Sequence, residues 1–220
     1  MQYNEFLNFI FQRNTKIDNE WFYRDEDANE VISNIEIINY SKKIFKDIDS
    51  ILDTYADIQI CHGLWYLVDP ASSFSSYAYF DIDIEESERI SCIKDMLIVF
   101  QRLFKRKCSA HLSYLQIDKN SKEYDNESIF NFFCYMWWDV FPRHGVPYSK
   151  SLAKIDKVIL HLLEEILSID NIACIESALH GLGHWHAGYP EVVVDIIDKN
   201  FAIIPKELIE YAELARDGRM

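Results

Sequence analysis

Ile90, Ile93, Met96, Leu97, Phe100, Leu103 and Phe104 recur at spacings of three and four, which puts all seven on one stripe of an α-helix. Glu85, Glu86 and Glu88 fall in its first turns, and Arg102, Lys105, Arg106 and Lys107 fall at its end. Both groups suit the helix dipole. The same period returns at Leu152, Ile155, Val158, Ile159, Leu162, Leu163 and Ile166, and again at Ile172, Ile175, Leu179 and Leu182. Asp170 is placed to cap the latter helix. Pro190 and Pro205 read as first-turn prolines of helices over 190–200 and 205–217, with Gly218 ending the last.

The N-terminal half follows the same rule. Residues 3–12 and 28–47 carry helical apolar patterns, the second as one helix or two. In 51–67, Ile51, Tyr55, Ile58, His62 and Trp65 lie near one stripe. Ser73 to Asp83 alternates weakly and has no strand to pair with, so 69–85 is expected to be a long loop rich in Tyr and Asp. The chain has only 6 Gly and 5 Pro, too few for a turn-dense β-protein or for flexible linkers. One all-α domain over 1–220 is therefore predicted.

Residues 127–141 leave almost no polar face, which predicts a helix buried on all sides at the centre of the core. Asp139 is the exception within it. A buried carboxylate needs a partner, and Arg143 or a histidine is expected to supply it as a structural pin.

Two stretches resemble one another, Ile60-Cys61-His62-Gly63-Leu64-Trp65 and Leu179-His180-Gly181-Leu182-Gly183-His184, separated by 118 positions. Ser177-Ala178-Leu179-His180-Gly181-Leu182-Gly183-His184-Trp185, with Pro190-Glu191-Val192-Val193 after it, resembles the inner helix and following unit start of HEAT or armadillo-like repeats. The likeness covers residues 150–217, with a fainter echo at 51–70. It implies stacked antiparallel helix hairpins, a regular or irregular α-solenoid, and a partner bound on the concave face. It implies no catalysis.

His180 and His184, four apart on a helix, have metal-ligand spacing, but the Glu of an HExxH motif is missing. At about 100° per residue the two point about 40° apart, and His186 points away from both unless the helix ends near 185. Glu176 lies on the His180 side as a further ligand or an orienting group. Two glycines inside this helix cost about 1 kcal/mol each, so tight packing against Gly181 and Gly183 is expected to compensate. GxSxG, GxxxxGK[ST] and GxGxxG motifs are absent, and a distant Cys134–His144 pair has no supporting context. No cofactor, resident metal or catalytic residue is expected.

Lys and Arg total 22 against 36 Asp and Glu, a formal net charge of −14. That field repels phosphate backbones and anionic lipid, so neither nucleic acid nor membrane is an expected partner. Five cysteines at wide spacings, without CxxC, read as reduced thiols of a cytoplasmic protein. The N-terminus lacks the features of a signal peptide, and no run is long enough for a membrane span. Acidic residues gather at Asp18, Glu20, Asp25, Glu26, Asp27 and Glu30, and again at Asp81, Asp83, Glu85, Glu86 and Glu88. Phe74, Tyr77, Tyr79 and Phe80 lie beside the second group. Phe74, Tyr77, Tyr79, Asp81, Asp83 and Glu85 are predicted to form a binding surface for a basic protein. The predicted function is a non-enzymatic protein-binding module, a small acidic antagonist similar in kind to toxin-immunity proteins. The alternative is a metal- or histidine-dependent enzyme at the polar cluster of Asp139, His180, His184 and His186.

Overall fold

Capping chemistry sets many of the helix ends. The computed structural model of the chain describes residues 1–12, 32–114 and 128–220, and all regular structure among them is helical. Helix α1 spans Tyr3–Phe11, and α2 spans Asn34–Lys46. The Ser33 amide donates to the Glu36 carboxylate at 3.0 Å, a capping box that starts α2 at Asn34, and the part of the expected 28–47 segment before residue 32 lies outside the described residues. The acidic group at 18–30 lies outside the described residues.

The stripe expected over 51–67 is broken. α3 (Ile48–Thr54) ends at extended Tyr55, and α4 (Asp57–Val68) begins after Ala56, whose amide is held by the Gln59 side chain at 3.0 Å. α5 (Glu86–Val99) runs through a widened π-turn at Phe100–Phe104 into α6 (Lys105–Lys107). The basic residues at that end reach carboxylates of the preceding helices: Arg102 and Arg106 pair with Asp49, and Lys107 with Asp57. α7 (Ile129–Val140) precedes a hairpin of α8 (Ala153–Leu167) and α9 (Ile172–His186). Asn171, not Asp170, caps α9; its side chain accepts from the Ala173 and Cys174 amides. Pro190 opens α10 (Pro190–Asn200), and Pro205 leads through a short 3-10 turn into α11 (Ile209–Arg216). Gly218 has φ +64°, and the Gly218 and Arg219 amides bond back to Ala215 and Leu214, a Schellman stop.

Packing contacts run from α1 to α4, α7 and α9 in one line and from α2 to α5 and α8 in a second, and the α8–α9 hairpin joins the two. Where the lines meet, Phe100, Phe104, Trp137, Trp138 and Phe141 form one ring cluster; Phe100 stacks on Trp138 at 5.9 Å. α9, not α7, is the most enclosed helix, packed against α7, α8, α10 and α11. α7 is apolar all round in sequence but exposes one edge. Phe132 is 53% exposed and lies over Trp65 at 6.1 Å.

Segment 69–85 is not a plain loop, because Phe74–Phe80 winds into two turns of 3-10 helix packed on α2, α4 and α5. No helix among the described residues is long and apolar enough to cross a membrane.

Candidate functional site

A stripe of small residues sets the register between α9 and α7. The Ser177 hydroxyl donates to the Cys134 carbonyl, the Cys134 thiol donates to the Ala173 carbonyl at 3.6 Å, and Gly181 lies under Trp138. A Cβ on Gly181 would stand 2.9 Å from Trp138 Cβ, so the missing side chain permits this approach. Ala173, Ser177 and Gly181 thus face Cys134 and Trp138. One step round each helix, His180 and His184 meet Tyr135 and Asp139.

The contacts follow that register. Tyr135 stacks on His180 at 4.3 Å. His184 Nε2 lies 3.0 Å from Asp139 Oδ1 and 3.2 Å from His180 Nε2, while His180 Nε2 lies 4.0 Å from the same Asp139 oxygen. Burial is the main cause that lowers the His180 pKa, to about 4, with His184 adding repulsion and Asp139 opposing both. Burial also lowers His184, with His144 acting in the same direction and Asp139 against it. Both imidazoles are neutral near pH 7, the form that ligates metals or accepts a proton. Asp139 is not the buried residue the sequence predicts. Its side chain is 35% exposed, and it pairs with His184 rather than Arg143.

Two further residues complete the site. Tyr211, brought by α11, places its hydroxyl 2.7 Å from His180 Nδ1 and 3.0 Å from the Tyr135 hydroxyl. Its phenol pKa is raised, first by burial and then by the Tyr135 bond. His144, in the loop after α7, stacks on His184 at 4.8 Å, and its Nε2 lies 2.9 Å from the Trp138 carbonyl. A carbonyl only accepts, so Nε2 carries the proton. The sequence marks neither as a partner of the histidine pair, since each arrives from another element. The Asp139, His180 and His184 ligand atoms lie close enough together to hold one metal ion, and the same set can take up and pass on a proton.

Other predicted members lie elsewhere. α9 continues to His186, which therefore turns away from the cluster and packs against Gly218. Glu176 accepts from the Ser113 and Tyr114 amides at 3.0 and 2.8 Å and so fixes the chain after α6. Arg143 grips Asp156, which is fully buried and also accepts from the Val146 amide and the Tyr189 hydroxyl. Asp156 is thus the buried pin that the sequence reading placed at Asp139. Burial drives the Cys134 thiol pKa well up, and its partner is the Ala173 carbonyl, not His144.

The predicted binding surface divides. In a 3-10 helix residues three apart share a row. Phe74 and Tyr77 face out, 78% and 50% exposed, while Tyr79 is fully buried and stacks on Phe141. Tyr79 therefore belongs to the core. Ser73 secures the start of the turn, its hydroxyl donating to the Tyr66 carbonyl at 2.6 Å. Asp83 and Glu85 are exposed, and Asp81 accepts from the Asn34 amide group at 2.6 Å. Glu86 and Glu88 are paired, with Lys154 and Lys42 respectively.

No family model matches this chain, and neither does any curated protein or solved structure.

Proposed function

We propose that the chain is a protein-binding module, an acidic antagonist of a basic protein in the manner of toxin-immunity proteins, and that Phe74 and Tyr77 anchor the partner. The observation that carries this reading is the display of two exposed rings, centroids 6.2 Å apart, in the segment that leads to the exposed carboxylates of Asp83 and Glu85, neither of which is in an ion pair among the described residues. Buried Tyr79 and the Ser73 bond hold the turn before any partner arrives, which lowers the ordering cost of binding. Asp81, Asp83 and Glu85 supply the steering charge, within a molecule of net −14. A cytoplasmic setting suits five cysteines that are all buried as free thiols. The successive α8–α9 and α10–α11 pairs are what favours a HEAT-like stack in this half of the chain.

A photo-crosslinking residue at position 74, in cells of the source organism, tests the anchor. A basic protein should crosslink there and not from exposed Ile203. Asp83→Lys with Glu85→Lys should slow its association and flatten the salt dependence. Equal crosslinking from both positions, an acidic partner, or an association rate indifferent to charge reversal would remove the basis for this reading.

A second reading is an enzyme working at His180 and His184. It draws on the convergence of two neutral imidazoles on one carboxylate at a partly open edge of the molecule.

A further inference from the structure

We propose that Asp139, His180 and His184 bind a zinc-class divalent cation through Oδ1 and two Nε2 atoms, with a fourth coordination position left to water. The three ligand atoms stand 3.0, 3.2 and 4.0 Å apart. A triangle with those sides has a circumradius of about 2.0 Å, and zinc bonds to imidazole nitrogen or carboxylate oxygen are about 2.0–2.2 Å long. An ion seated about 0.5 Å above that triangle reaches all three atoms at about 2.1 Å, and closing the 4.0 Å His180–Asp139 edge, which subtends about 144° there, brings the set to a tetrahedron. The donor atoms also bear on the class of metal. Two imidazoles make the site a poor one for magnesium or calcium, which prefer oxygen.

The surroundings fit a ligand set. His180 ligates through Nε2 only if Nδ1 keeps its proton, and the Tyr211 oxygen at 2.7 Å is placed to accept it. Tyr135 holds the His180 ring from one face, and His144 holds His184 in the same way. Without an ion, a single N–H between the two Nε2 atoms has both a carboxylate oxygen and an imidazole lone pair to satisfy. A cation satisfies all the acceptors at once. Asp139 and His184 keep 35% and 28% of their side-chain surface open, so an ion and a water ligand have access.

The proposal is independent of whether the chain is an antagonist or an enzyme, because its test reads metal binding alone. The full chain, stripped with a chelator, is titrated with zinc chloride by calorimetry and with cobalt chloride by visible absorption. One equivalent of zinc should bind, and cobalt should give the intense bands of a four-coordinate ion. His184→Ala should weaken zinc by more than about 100-fold, since even outer-shell partners are worth about 10–100-fold. Asp139→Asn, nearly isosteric and half-exposed, keeps the test valid should His184→Ala fold poorly, and it should weaken zinc by at least about tenfold. Exposed His161, near Glu164 and Glu165, is the control for adventitious binding. Absence of saturable zinc binding, binding that survives both site variants, or binding lost instead in His161→Ala would each overturn the proposal.

Discussion

Gly181 and Gly183 lie two residues apart in one helix, yet alanine should act on them with opposite signs. In each case alanine gains about 1 kcal/mol of helix propensity. At Gly181 the new methyl would stand 2.7 Å from Leu163 Cδ2 and 2.9 Å from Trp138 Cβ and Cγ. Leu163 can rotate away, but Trp138 Cβ moves only if α7 moves. Overpacking of that kind costs about 1–3 kcal/mol, and the rigid neighbour puts this case at the upper end, so Gly181→Ala should lose about 1–2 kcal/mol net. At Gly183 the three atoms nearest the methyl all belong to Met220, at 2.1 Å from Cγ and 3.0 Å from Cβ, and this 41%-exposed side chain can rotate toward solvent. Gly183→Ala should therefore gain about 0.5–1 kcal/mol. Urea unfolding followed by tryptophan fluorescence measures both, since Trp138 and Trp185 are in the core. Because Asp139 follows Trp138, the same displacement should lengthen the 3.0 Å His184–Asp139 contact and weaken zinc in Gly181→Ala alone. Equal effects at the two glycines, or a stabilised Gly181→Ala, would show that the α7–α9 spacing is not set by this contact.

Two further outcomes are expected. Asp156→Ala strands Arg143 and leaves the Val146 amide and Tyr189 hydroxyl without their acceptor. It should cost about 3–5 kcal/mol in chemical denaturation, while Asp156→Leu combined with Arg143→Met should cost less than the sum of the two single changes. Burial lowers the His62 pKa, so the unfolded chain binds its proton first as pH falls. The stability this neutral ring contributes is complete above about pH 6.5 and is lost as pH drops from there toward the lower folded value. His62→Leu should flatten that part of the stability profile, and an unchanged slope would refute the assignment.

Within single helices the sequence was highly legible, because the 3.6-residue period fixes which side chains share a face. The stripe from Ile90 to Phe104, Pro190 at the start of α10 and the Gly218 stop were all recoverable, and the pairing of His180 with His184 followed from their spacing alone. α7 resisted because a segment apolar on every side has no phase, so nothing in it marks Phe132 as the exposed edge. Phe74–Phe80 resisted because its period is three. Phe74, Tyr77 and Phe80 form one row and Ser76 and Tyr79 another, a pattern missed when only periods of two and 3.6 are weighed. Asp139 and Asp156 were exchanged in role for a different reason. Asp139 is the lone carboxylate in an apolar run, whereas Asp156 sits near Lys154 and Lys157 and reads as a surface residue of a helix start. Only the return of Arg143 and Tyr189 from other elements identifies Asp156 as the enclosed charge. The carboxylate of the histidine site was nearer to hand. Ala173, Ser177 and Gly181 form a row of small residues that admits a close neighbour, and Cys134 with Trp138 is the four-residue step that fits it. Once those rows face each other, helix geometry carries Tyr135 and Asp139 to His180 and His184, so the two halves of the site share the packing that brings α7 against α9.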